Sequence, residues 1–199
     1  ADFWHETRKE LRKRFSKDLH ILPQCGAAGD ISPHVMIRGK AERNMLARRK
    51  LSPRQEIARR IADAVDRVLP LSKDNIQSEL TLHHTVAHVD LPAEDEEKAP
   101  FYETDTVNPI EIHVLRLGDV AIASNPFELY LDYGLRMQSR SKAVLTMTVQ
   151  LSCQTCGYLP TPQAVRGGGY SAVKYIVGPE GGKILVDETV KHINALWPE

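Results

Sequence analysis

The chain has 199 residues, with 26 Lys+Arg against 26 Asp+Glu and 42% hydrophobic residues. That length suits one domain, or two small ones, and is enough to bury a core without disulfide or metal staples. Zero net charge gives no global field for nucleic acid or acidic substrates, and no apolar run reaches the about 18 residues that a membrane span needs.

The charge is unevenly placed. Residues 1–70 carry 16 Lys+Arg against 9 Asp+Glu, and the remainder 10 against 17. The basic residues sit on helical patterns without interleaved aromatics, which reads as one of two oppositely charged surfaces rather than a nucleic-acid face. Of three cysteines, Cys25, Cys153 and Cys156, the last two have CxxC spacing. An odd count gives no disulfide framework; the CxxC spacing raises redox and metal roles for that pair, and the lack of a second CxxC counts against them.

Residues 2–18 have the period of an amphipathic helix with Trp4, Leu11 and Phe15 on its apolar face. Leu19, Ile21 and Leu22 make a short apolar run ending at Pro23, followed by the glycine- and alanine-rich bend Gly26–Gly29. Residues 53–69 form the clearest helix. Ser52 caps it, Pro53 takes the first helical position, Gln55 completes a capping box, and Pro70 ends it. Its predicted buried stripe is Ile57, Ile61, Ala64, Val65 and Val68.

Thr81 to Leu91 alternates as a strand, with Leu82, His84, Val86, His88 and Asp90 on one side. Residues 93–109 are a predicted surface loop, acidic and proline-bounded over Ala93–Pro100. Ile110–Leu117 and Val120–Ala123 predict a hairpin turning at Gly118-Asp119. A helix is predicted to start after Pro126 and bury Phe127, Leu131 and Leu135. Ala143–Leu151 then reads as a strand, the Gly167–Gly169 segment as a flexible loop, Val173–Val177 as an edge strand, and residues 181–197 as a closing helix. Irregular alternation with one hairpin predicts an α/β or α+β single domain: a mixed β-sheet with flanking helices.

Four places in this framework carry chemistry, each with two readings. Ser32 follows the bend Gly29-Asp30-Ile31 and is either a nucleophile or part of an Asp/Ser turn. Glu128 follows an apolar strand and is either a ligand at the strand end or an acidic residue in a first helical turn. Tyr158 is a ligand or a core aromatic. Tyr170, after three glycines, donates to an oxyanion or packs as a loop tyrosine. His34, two residues beyond Ser32, is a candidate site neighbour. His84 and His88 share a strand face but stand about 13–14 Å apart, too far for one metal. With His83 they read as strand histidines.

The order of these segments resembles that of the neutral/alkaline ceramidase family, zinc-dependent amidases with a serine nucleophile, and is nearer to bacterial ceramidase-like proteins. Gly29-Asp30-Ile31-Ser32-Pro33-His34 is similar to the family's G-D/N-x-S-P-N segment, with His for Asn. Pro126-Phe127-Glu128 is similar to P-G-E, with Phe for Gly. Tyr158-Leu159-Pro160-Thr161 is similar to Y-[IV]-T-T, and Tyr170 keeps the twelve-residue spacing to the next family tyrosine. The resemblance implies Ser32 and Tyr170 as catalytic residues, Asp30 and His34 as substrate contacts, and Glu128 and Tyr158 as zinc ligands. It also implies two histidine ligands well upstream of the serine, where this chain offers only His5 and His20. On that resemblance residues 1–199 are the C-terminal part of a larger catalytic domain, and the missing upstream segment is a partner. The substrate is a small-molecule or lipid-like amide, and the compartment is secreted or periplasmic. The departures at His34 and Phe127 keep a second expectation open, a catalytically inactive binding module with the same fold.

Overall fold

The computed structural model describes residues 2–33, 35–92, 108–173 and 175–198. The chain forms two compact units, residues 1–23 with 33–78, and residues 24–32 with 79–199. His34 and most of the predicted acidic loop lie outside the described residues.

The first unit is helical: α1 (Asp2–Arg14), α2 (Gly39–Arg49) and α3 (Pro53–Ser72). The capping box forms as the sequence predicts, with Ser52 Oγ accepting from Gln55 N and Gln55 Oε1 accepting from Ser52 N. Thr7 and Leu11 of α1 are buried, as are Ala58 and Ala62 of α3. The predicted stripe is therefore shifted. Ala64 and Val68 are exposed, and small alanines form the buried line of α3, where α1 packs against it. Pro70 does not end α3; it lies inside the last turn, where a missing N–H costs a single ladder bond. α2 has little amphipathic pattern and was not visible in the sequence.

Glu56 is the hub of this unit. Its side chain is buried yet ion-paired with Arg49 at 2.8 Å, Arg59 at 2.9 Å and Arg60 at 2.9 Å. Arg14 adds a 2.8 Å pair to Asp63, which Arg59 also holds at 2.6 Å. Much of the basic excess of the N-terminal third thus faces carboxylates of its own unit.

The second unit is α/β, as predicted. β1 (Leu82–Val89), β2 (Ile110–Leu117), β3 (Val120–Ser124) and β5 (Leu145–Val149) make a mixed sheet in the order β1-β2-β3-β5. β1–β2 and β2–β3 are antiparallel, whereas β3–β5 is parallel. The predicted hairpin turns at Gly118, whose φ of 57° is left-handed. Between β3 and β5 the chain forms β4 (Glu128–Leu129) and then α4 (Leu131–Arg140). The helix thus starts four residues later than the apolar pattern suggests. Phe127 is buried as expected, but Leu131 and Leu135 are exposed, and Tyr133, Gly134 and Met137 face inward instead.

After β5 come β6 (Tyr158–Leu159), α5 (Pro162–Gly167) and α6 (Pro179–Ala195). β6 pairs in parallel with β4. The predicted edge strand near Val173–Val177 is reduced to bridges from Tyr175 to Gly157 and Tyr158. α5 occupies the start of the segment read as a glycine loop. α4 and α6 pack on each other, and α6 covers β1, β2 and β3. The buried face of β1 carries Ala87 and Val89, so the alternate residues His84, Val86 and His88 face solvent. Ile110, Ile112, Phe127, Leu129, Tyr133, Leu159, Val177 and Leu185 fill the core.

Candidate active site

The site is built where the loops after β3 and β5 interlace. Parallel strands such as these end together, and the space beyond their carboxyl ends is where open sheets hold ligands. Asn125 is buried just past β3. Its N donates to Val149 O at 2.9 Å, and its Oδ1 accepts from Phe127 N at 3.1 Å. The loop after β5 answers with Ser152 N to Asn125 O at 3.0 Å and Cys156 N to Pro126 O at 3.2 Å. These bonds fix the approach to β4, where Glu128 N donates to Gly157 O at 2.8 Å.

Glu128 and Tyr158 are register partners in the β4–β6 pair, which places their side chains side by side. Glu128 is therefore a strand residue, not a member of a first helical turn. Tyr158 is buried. Its phenol is pushed well above the ordinary tyrosine range, first by burial, then by the negative charge of Glu128, and then by hydrogen bonds with Tyr170 and Glu128. The rings of Tyr158 and Tyr170 meet edge to face, 5.7 Å between centroids. Gly168 and Gly169, with φ of 71° and 119°, give the turn that delivers Tyr170. Tyr130 Oη and Ser171 Oγ, 2.7 Å apart, anchor the short 3₁₀ turn that carries Tyr170. The Tyr170 ring stays 60% exposed, so a ligand can reach it.

The glycine-rich bend docks onto the same strand. Gly29 N donates to Leu129 O at 2.8 Å, and a Cβ on Gly29 would collide with the carbonyl of Glu128. Asp30 Oδ1 accepts from Leu131 N at 2.8 Å, so it caps α4 from a distant segment. That oxygen of Asp30 holds the bend in place, whatever the carboxylate does toward a substrate. Ser32 is exposed three residues beyond Gly29, at most about 11 Å of chain away.

Gln150 was missed by the sequence reading. It is buried, and its Oε1 accepts from both Ala28 N and Leu129 N at 3.1 Å, while its own N donates to Cys25 O at 2.9 Å. One amide side chain thus clamps the bend to β4. No periodicity marks such a residue, because one of its partners, Ala28, stands 122 positions away along the chain.

Glu128 and Tyr158 are suitable oxygen donors for a metal ion, but two donors fall short of the three or four of a stable zinc site. Among the described residues, a group of three metal-binding side chains occurs elsewhere, at Glu111, His113 and Cys153. The CxxC pair is split: Cys153 is exposed, and Cys156 is fully buried in the core. Phe127 is likewise a core residue with no exposed surface.

Against solved structures, the chain aligns with neutral ceramidase from Pseudomonas aeruginosa at a TM-score of 0.66 and 11% identity. The alignment covers 98% of this chain and 40% of that one. The two share a fold. A second match, a ceramidase complexed with C2, has a TM-score of 0.41 and 16% identity over 43% of this chain and 14% of that one. No family model and no curated protein sequence matches the chain. The chain spans less than half the length of either ceramidase.

Proposed function

We propose that this chain belongs to a zinc-dependent hydrolase of an N-acyl amide, a ceramidase-like amidase with a serine nucleophile. The observation that carries the reading is the convergence of Glu128, Tyr158 and Tyr170 on the β4–β6 pair, with the Gly29-Asp30 bend docked on the same strand. The shared fold with neutral ceramidase supports it.

In this reading Ser32 Oγ adds to the amide carbonyl and the C–N bond breaks. The amine leaves with the serine proton, and water hydrolyses the acyl ester. Tyr170, exposed at the rim, donates to the carbonyl oxygen as it gains charge. Glu128 and Tyr158 would hold the zinc, with two histidine ligands supplied from outside this chain. When bound, the zinc would polarise the carbonyl and lower the pKa of the serine hydroxyl. The substrate class is a lipid-like or small-molecule amide.

The test is turnover of an N-acyl amide probe by the protein carrying the additional histidine donors, with and without Ser32→Ala. Loss of about 1,000-fold or more is expected of a nucleophile. Undiminished turnover by the Ser32→Ala protein would sink the assignment. Phe127 lies in the core with no exposed surface, so its bulk does not argue for an inactive module. The departure at His34 keeps that second reading open, and absence of turnover by the wild type would favour it.

A further inference from the structure

The solvent face of the β1–β2 ladder carries a second set of donors. Antiparallel register sets His88 opposite Glu111, and Val86 opposite His113. His84 Nε2 and His113 Nδ1 are 2.9 Å apart, their rings stacked at 5.1 Å between centroids. His113 Nε2 lies 2.8 Å from Glu111 Oε1, and His88 Nε2 lies 3.4 Å from Glu111 Oε2. The loop after β5 crosses this face, tied down by Glu111 N donating to Gln154 Oε1 at 3.2 Å. That tie brings the exposed Cys153 over the strands, so that one ligand atom each from Glu111, His113 and Cys153 lies within 4.8 Å of the others.

We propose that Glu111, His113 and Cys153 form a binding site for a borderline-soft divalent cation of the zinc class, separate from the Glu128–Tyr158 cluster. The donor set decides the class. One thiolate, one imidazole and one carboxylate suit zinc or cobalt, whereas magnesium and calcium take oxygen ligands. In a tetrahedral site such donors stand about 3.3–3.7 Å apart. Small rotations of the accessible Glu111 and Cys153 side chains close the difference. With the His113 proton on Nδ1, donated to His84 Nε2, the Nε2 lone pair faces Glu111 and is free for the ion. His84 is then the outer partner that orients a ligand histidine. His88 supports the second oxygen of Glu111. The thiol proton of Cys153 goes to solvent on binding, and the fourth position is open to water. The ion would staple the loop after β5 to the sheet.

Cobalt(II) titration of the chain tests this, because a thiolate-to-cobalt charge-transfer band reports cysteine ligation and the Glu128–Tyr158 cluster contains none. One equivalent of Co²⁺ is expected to give the band in the wild type, in Cys25→Ser and in Tyr158→Phe. Cys153→Ser, an exposed change, removes it. His84→Ala keeps the band but weakens binding by roughly 10–100-fold. Absence of the band in the wild type, its survival in Cys153→Ser, or its loss in Tyr158→Phe overturns the proposal. The amidase reading stands or falls separately, on Ser32.

Discussion

Tyr170 is both exposed at the rim and packed edge to face on the buried Tyr158. Removing its hydroxyl leaves the ring contact in place and deletes the donor together with its hydrogen bond to Tyr158. Tyr170→Phe is therefore expected to lower stability by only about 1 kcal/mol and kcat by about 100-fold, the usual worth of one oxyanion donor. Parallel melting curves and single-turnover rates check both halves. Gly29 answers to a different constraint. Its Cβ position is occupied by the Glu128 carbonyl, which is backbone and has no rotamer to yield. Gly29→Ala is expected to cost about 1–3 kcal/mol of stability, as overpacking does, and to disturb β4. An alanine variant with unchanged urea unfolding would show that the close approach is relaxed. The sequence marked both residues, as a tyrosine after glycines and a glycine in a bend, but not the reason for either. Steric contact between segments a hundred positions apart leaves no local pattern.

Elements show the same division between what periodicity reveals and what it hides. The capping box of α3 and the β2–β3 hairpin are written in a few adjacent residues, and both stand as read. β4 and β6 are two residues each, too short for any alternation, so the site they make looked like a helix start and a strand end. The buried stripe of α3 shifted because Ala58 and Ala62 admit a neighbouring helix more closely than Ile or Val. On that helix, hydrogen bonds from Arg59 first, and from Arg60 and Arg49, hold the Glu56 carboxyl down at about 2 against its burial. A depressed folded-state pKa stabilises the fold above the unfolded value near 4.5 and is lost as pH falls toward 2. Glu56→Gln is expected to lower stability by roughly 2–4 kcal/mol at pH 7 and to flatten the loss between pH 4.5 and 2. Urea midpoints across that range give the answer; a wild type and variant with parallel pH profiles would contradict the hub role.

At the scale of the whole molecule, the α/β unit places its candidate chemistry beyond the carboxyl ends of the one parallel strand pair in its four-stranded sheet, β3 and β5. The clamp there is Gln150, which joins the glycine bend to β4. Gln150→Leu is expected to leave Ala28 N and Leu129 N unpaired, cost about 2–3 kcal/mol, and speed amide hydrogen exchange across residues 26–30. Protection of those amides at wild-type level in the variant would discount the clamp. Fold class and the order of the site segments were legible in the sequence, and the fold agrees with that of a ceramidase at 11% identity. The register that pairs Glu128 with Tyr158, and the turn that brings Tyr170 to them, were not legible, since they arise only when the loops after β3 and β5 interlace.

The most direct measurement is kcat/KM for an N-acyl amide probe with zinc and the full set of histidine donors, wild type against Tyr158→Phe, with Lys191→Ala on the exposed face of α6 as the reference variant. The reading of Glu128, Tyr158 and Tyr170 as one active site expects a fall of at least about 100-fold in Tyr158→Phe and no change in Lys191→Ala. A Tyr158→Phe protein that turns over at the wild-type rate would contradict it.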